Sequence, residues 1–219
     1  KYHTGKHTMK KLTKNNLLLF FFFLFGIFLR VVALQFSPPA LNIDEAALGY
    51  NAYSILKTGA DEHGRFLPLS LESFGDWKLP VYSYIAVIPV GMLGLSELST
   101  RLPSILAGTI GIVLIYYLAV ALFHKRSIGV FAAIFFAVSP WSIFFSRAAY
   151  EVNVATTLFL AAVLLLIHAT DKKRTVWLPI FAGLLFGLTL FTYHSYIIFT
   201  PLFVFAYCIF YARKLGKKI

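Results

Sequence analysis

Residues 16–35 read NLLLFFFFLFGIFLRVVALQ, an apolar run whose single charge, Arg30, sits near its end. About 20 such residues in a helix cross the ~30 Å hydrocarbon core of a bilayer. Lys10, Lys11 and Lys14 precede the run, as they would precede a secretory signal. The core from Leu17 to Leu34 is longer than a signal's apolar region, and no small-residue cleavage pattern follows. It is read as a retained span.

Working outward, the runs 100–123, 127–146, 152–169, 176–194 and 196–212 have comparable length and character. Backbone in lipid must bond to itself, so each run is predicted as a helix. The fold class that follows is all-α: a polytopic membrane bundle of about six transmembrane helices with a long external loop. Composition agrees, with 59% hydrophobic and 13% charged residues, against about a quarter charged in soluble domains. The net charge of +11 does not point to nucleic acid, because the basic residues cluster at the ends of apolar runs. The single cysteine, Cys208, excludes an intrachain disulfide. The chain begins at Lys1 and stops in a basic segment, so it is expected to be the N-terminal portion of a longer protein.

Lysine and arginine set the orientation. The leader 1–15, the pair Lys125-Arg126, the group Lys172-Lys173-Arg174 and the segment 213–219 are assigned to the cytoplasm. Each neighbouring pair of groups must then be separated by two spans. Between the leader and Lys125 lie three apolar stretches, of which 80–95 is the shortest and is interrupted by Pro80, Pro89, Gly91 and Gly94. It is predicted to lie in the interface or to dip in and return. Three crossings there would instead move Lys125-Arg126 outside and Glu151 to the cytoplasm.

The predicted topology places 36–78 outside the cytoplasm, and Gln35 to Lys78 holds six of the nine acids: Asp44, Glu45, Asp61, Glu62, Glu72 and Asp76. Arg147, Glu151 and His194 fall on the same face. Leu48, Ala52, Ile55 and Leu56 repeat at helical spacing from Asp44 to Thr58, with Gly59 as the stop and Asp44 as the N-cap. Each polar residue has a structural and a functional reading. Asp44 is a capping carboxylate or a catalytic one. Arg147 and Glu151 are an i,i+4 pair or site residues. Arg30 snorkels to headgroups, Lys78 beside Trp77 is an interfacial anchor, Arg101 binds lipid phosphate, and His194 joins an aromatic belt; each is otherwise a ligand contact. No P-loop, GxSxG, HExxH or CxxC pattern is present.

Four motifs carry a resemblance. They are Asn42-Ile43-Asp44-Glu45-Ala46 with Gly49-Tyr50, and Trp77-Lys78-Leu79-Pro80-Val81-Tyr82. The others are Arg101-Leu102-Pro103-Ser104 with Ala107-Gly108, and Ser146-Arg147-Ala148-Ala149-Tyr150-Glu151. In this order they resemble the GT-C membrane glycosyltransferases of the dolichyl-phosphate-mannose–protein mannosyltransferase-like group. That group includes the glycosyltransferase 39 and 83 families and aminoarabinose–lipid A transferases. Two departures stand out: Glu151 where Asp is commoner, and His194 near the place of a frequent Lys.

The resemblance implies transfer of a sugar from a polyprenyl-phosphate donor to a hydroxyl of a protein, lipid or polysaccharide. The reaction would invert the anomeric carbon at the outer face of the cell membrane. It implies Asp44 as general base, Glu45 and Glu151 as positioning or tuning carboxylates, and Lys78, Arg147, Arg101 and His194 as contacts to substrate or phosphate. No certain cofactor and no metal ligand set is implied, although some branches of the class use a divalent cation such as Mg2+ or Mn2+. A transporter or flippase, and a non-enzymatic assembly subunit, are the competing classes. A transporter needs helix breaks or charges near the midplane, whereas most charges here gather at the interface.

Overall fold

The computed structural model describes residues 5–169 and 176–216, with side chains described from 16 to 169 and from 176 to 211. The groups Lys172-Lys173-Arg174 and Lys217-Lys218 and the start of the leader lie outside the described residues. The bundle consists of α1 (Gly5–Val31), α2 (Ile43–Thr58), α3 (Val81–Leu93), α4 (Glu97–Phe123), α5 (Arg126–Val138), α6 (Pro140–Arg147), α7 (Glu151–Ala169), α8 (Trp177–Leu190) and α9 (Ser195–Gly216). One small antiparallel hairpin, β1 (Leu71–Ser73) with β2 (Asp76–Lys78), lies between α2 and α3 in the long loop, where the sequence was read only for helices.

α4 is the hub, touching α1, α2, α3, α5, α6 and α7, while α8 packs on α7 and α9 on α8. Lipid supplies no hydrophobic drive between helices, so close approach and hydrogen bonds must hold them. Small residues do the first: Ala107 on α4, Ala133 and Ala137 on α5, and Ala155 and Ala162 on α7 are buried. A Cβ on Gly108 would collide with Ser146 Oγ, so glycine lets α4 and α6 touch. Polar side chains do the second. Asn153 Nδ2 donates to Ser104 O at 2.8 Å, Thr157 Oγ1 to Ala107 O at 3.0 Å, and Thr189 and Thr200 share a 2.8 Å bond.

Two helices, α4 and α7, are each long and apolar enough to cross a membrane unbroken. The expected span 127–146 is instead the pair α5 and α6, bent by 54°. Pro140 has no N–H to continue the ladder, and Ser139 caps the new helix. The break leaves carbonyls without partners, and Arg30 fills them from α1. Its guanidinium is fully buried, donating to Ala137 O (3.2 Å), Gly26 O (2.9 Å), Ser142 Oγ (2.7 Å) and Ser146 Oγ (3.1 Å). The snorkelling reading of Arg30 is therefore corrected. α8 covers only Trp177–Leu190, shorter than the run 176–194, because the chain turns at Phe191. α3 is a 13-residue apolar helix within 80–95, too short to span.

Candidate active site

The helix α2 is capped two residues before the position at which the sequence placed its cap. Asn42, not Asp44, is the N-cap of α2. Its side chain accepts from Glu45 N, and Glu45 Oε2 accepts from Asn42 N at 3.1 Å, closing a capping box. Gly59, with φ +75°, ends the helix as expected. Leu48, Ala52 and Ile55 are buried, whereas Leu56 is 40% exposed.

With Asn42 capping, Glu45 points inward. Its carboxylate accepts from Arg101 Nε (2.9 Å), Arg101 Nη2 (3.2 Å), Ala149 N (2.7 Å) and Asn42 N (3.1 Å). A buried ion pair is tolerated when its remaining donors and acceptors are satisfied. Arg101 meets that condition, since it also donates to the carbonyls of Leu34, Pro38 and Ala40. Its five N–H groups are thus engaged, leaving none to hold a lipid phosphate in this state. Gly49 makes the pair possible: a Cβ there would collide with Thr100 Oγ1, so glycine brings α2 against α4 one helical turn from Glu45.

Asp44 faces outward from the same turn, and Lys78 Nζ donates to its Oδ1 at 2.6 Å. The hairpin supplies the lysine. Phe74 and Gly75 both have positive φ, as a tight two-residue turn requires, and buried Leu71 pairs with Lys78 across it. Lys78 is buried while Asp44 is open to solvent. Asp76 lies 3.7 Å from the same ammonium, on the same side of the strand two residues earlier. Burial disfavours the charged lysine, but its hydrogen bond to Asp44 and the charges of Asp44, Glu151 and Asp76 outweigh it. They raise the Lys78 pKa above the ordinary lysine value. The interfacial-anchor reading of Lys78 gives way to this buried pairing.

Glu151 opens α7 and takes no hydrogen bond among the described residues. It is not paired with Arg147, whose guanidinium turns instead to the carbonyls of Leu29 (2.9 Å), Val32 (2.7 Å) and Ser37 (2.6 Å). Those carbonyls follow the end of α1, where helices leave acceptors unsatisfied. His194 is exposed in the turn between α8 and α9. That turn is fastened to the start of α3 by Val81 N donating to Phe191 O at 3.2 Å. Among the described residues no three His, Cys, Asp or Glu side chains form a metal-ligating group.

The geometry thus sorts the candidate residues. The exposed carboxylates of Asp44 and Asp76 flank the buried ammonium of Lys78, and the charge of Glu151 at the start of α7 is felt there. Glu45, Arg101 and the Ala149 amide form the buried joint beneath them. Sequence reasoning missed Asn42 and Asp76. The spacing Asn42-x-x-Glu45 and the strand alternation Asp76-x-Lys78 were the signals that carried them.

A family described as dolichyl-phosphate-mannose-protein mannosyltransferase matches residues 78–219. The chain belongs to this family. No curated protein matches it, and no solved structure does. As a member of the mannosyltransferase family it is a membrane glycosyltransferase of the GT-C type. The matched stretch of this mannosyltransferase-family chain opens on Lys78 and takes in Arg101, Arg147, Glu151 and His194, while Asp44 and Glu45 precede it.

Proposed function

We propose that this protein transfers a sugar from a polyprenyl-phosphate donor to an acceptor hydroxyl at the non-cytoplasmic face, with inversion at the anomeric carbon. The observation that carries the reading is the 2.6 Å contact between exposed Asp44 and buried Lys78. It sets a carboxylate able to take a proton beside a cation able to take a phosphate. In the transfer, the acceptor oxygen bonds to the anomeric carbon as the bond from that carbon to the phosphate oxygen breaks. Asp44 receives the hydroxyl proton, and the electron pair leaves with the phosphate, whose charge Lys78 balances. Glu151 sits where it can orient the acceptor. Glu45 and Arg101 hold the two halves of the site in register. A divalent ion is not assigned a step, since the described residues present no ligand set for it.

The outer-face placement rests on the basic groups at the opposite ends of the apolar runs. The acceptor is a hydroxyl of a protein, lipid or polysaccharide. Asp44→Asn in the membrane-inserted protein tests the reading. Sugar transfer should fall by about 10²–10⁴-fold, with insertion and thermal stability retained. Normal transfer in a folded Asp44→Asn protein would remove Asp44 from the role of base.

A further inference from the structure

The two groups assigned to opposite ends of the reaction are bonded to each other. Lys78 Nζ, which would receive the leaving phosphate, donates to the Oδ1 of Asp44, which would receive the acceptor proton. Lys78 is 8% exposed at its side chain and Asp44 is 68% exposed, so the lysine is fixed by its surroundings and the aspartate is free to move away. Two carboxylates, those of Asp44 at 2.6 Å and Asp76 at 3.7 Å, flank this single ammonium. A phosphate arriving at Lys78 meets excess negative charge unless one carboxylate gives up its place.

Resting on the function proposed above, we infer that the donor's phosphate displaces Asp44 from Lys78, and that this exchange releases the base. Base and cation neutralise each other until a phosphate takes the cation. The donor therefore binds before the acceptor is activated, and departure of the polyprenyl phosphate lets the Asp44–Lys78 pair close again. Asp44 is the carboxylate that yields because it alone holds the hydrogen bond of Lys78 that the phosphate would take. Asp76, at 3.7 Å, is a looser neighbour, and Glu151 acts only through its charge.

Binding of a polyprenyl monophosphate to the protein in nanodiscs tests the exchange without needing the acceptor. Asp44→Asn removes the competitor and should bind about 2- to 5-fold tighter than the wild type, the range set by a partly exposed ion pair. Glu151→Gln removes a nearby carboxyl that makes no hydrogen bond to Lys78 and should gain less. In a Lys78→Met background the gain from Asp44→Asn should vanish. Equal or weaker binding by folded Asp44→Asn overturns the exchange, as does an equal gain in Glu151→Gln or a gain that survives Lys78→Met. Asp44→Ser serves if the asparagine variant does not fold. The failures are separable. An Asp44→Asn protein that is inactive yet binds no tighter defeats only the exchange, whereas one that transfers sugar normally defeats the base.

Discussion

Asp44 and Glu45 are adjacent in the chain and chemically alike, yet their side chains are 68% and 2% exposed. The cause is helical geometry: 100° separates consecutive residues, so the first turn of α2 aims one carboxylate at solvent and the other at α4. Glu45 joins three elements, taking bonds from Arg101 of α4, from Ala149 just before α7, and from its own cap. Asp44 joins two, through one lysine. The contrast teaches that an acidic pair can divide its labour, with the buried member fixing the frame and the exposed member left free for chemistry.

Breaking the buried member should have the largest effect. Arg101→Met leaves Glu45 charged and without its main partner, and should lower stability by about 3–5 kcal/mol. Thermal unfolding of the detergent-solubilised protein measures this, and an unchanged midpoint would refute the scaffold role. Gly49→Val attacks the same joint from its backbone side. The added side chain meets Thr100 and should cost about 1–3 kcal/mol, read in the same melt. Asn42→Ala removes half of the capping box and should cost about 1 kcal/mol. Because that box also orients Glu45, the variant should lose transfer activity beyond what its melting temperature explains.

The exposed member should be nearly silent in stability. Asp44→Asn should change the unfolding free energy by about 0–1 kcal/mol while abolishing transfer, the reverse of the pattern expected at Arg101. The smallest expected effect is in pH. The folded Lys78 holds its proton more tightly than a lysine at its ordinary 10.5. Its contribution is therefore complete below that value and is lost only as pH rises through the higher folded value. Melting temperature followed into strongly alkaline buffer should separate wild type from Lys78→Met fully below pH 10.5 and bring them together only once pH has passed the higher folded value. A difference that disappears near neutral pH contradicts the pairing.

A second pair of residues repeats the lesson. Arg30 and Arg147 each read in sequence as a cation with a surface or pairing role. In the fold Arg30 of α1 satisfies the break between α5 and α6, and Arg147 of α6 satisfies the end of α1. Helix ends and breaks expose carbonyls, and arginine's forked donors satisfy several at once. Neither role could be read from spacing, because the acceptors lie more than a hundred residues away in the chain.

By itself the sequence determined the helical class, the membrane as solvent, a helix from Asp44 to Thr58 with Gly59 at its end, and the set of polar residues from which a site could be made. Those features depend on local periodicity, on run length against bilayer thickness and on turn chemistry, all of which act within a few residues. Tertiary structure alone decided which of those polar residues meet. The Asn42 cap rotates Glu45 onto Arg101 and Asp44 onto Lys78, Pro140 breaks the third run, and glycines at 49 and 108 let helices approach closely enough for the bonds to form. Such pairings depend on contacts between residues far apart in sequence, where one side chain's choice of partner removes another's.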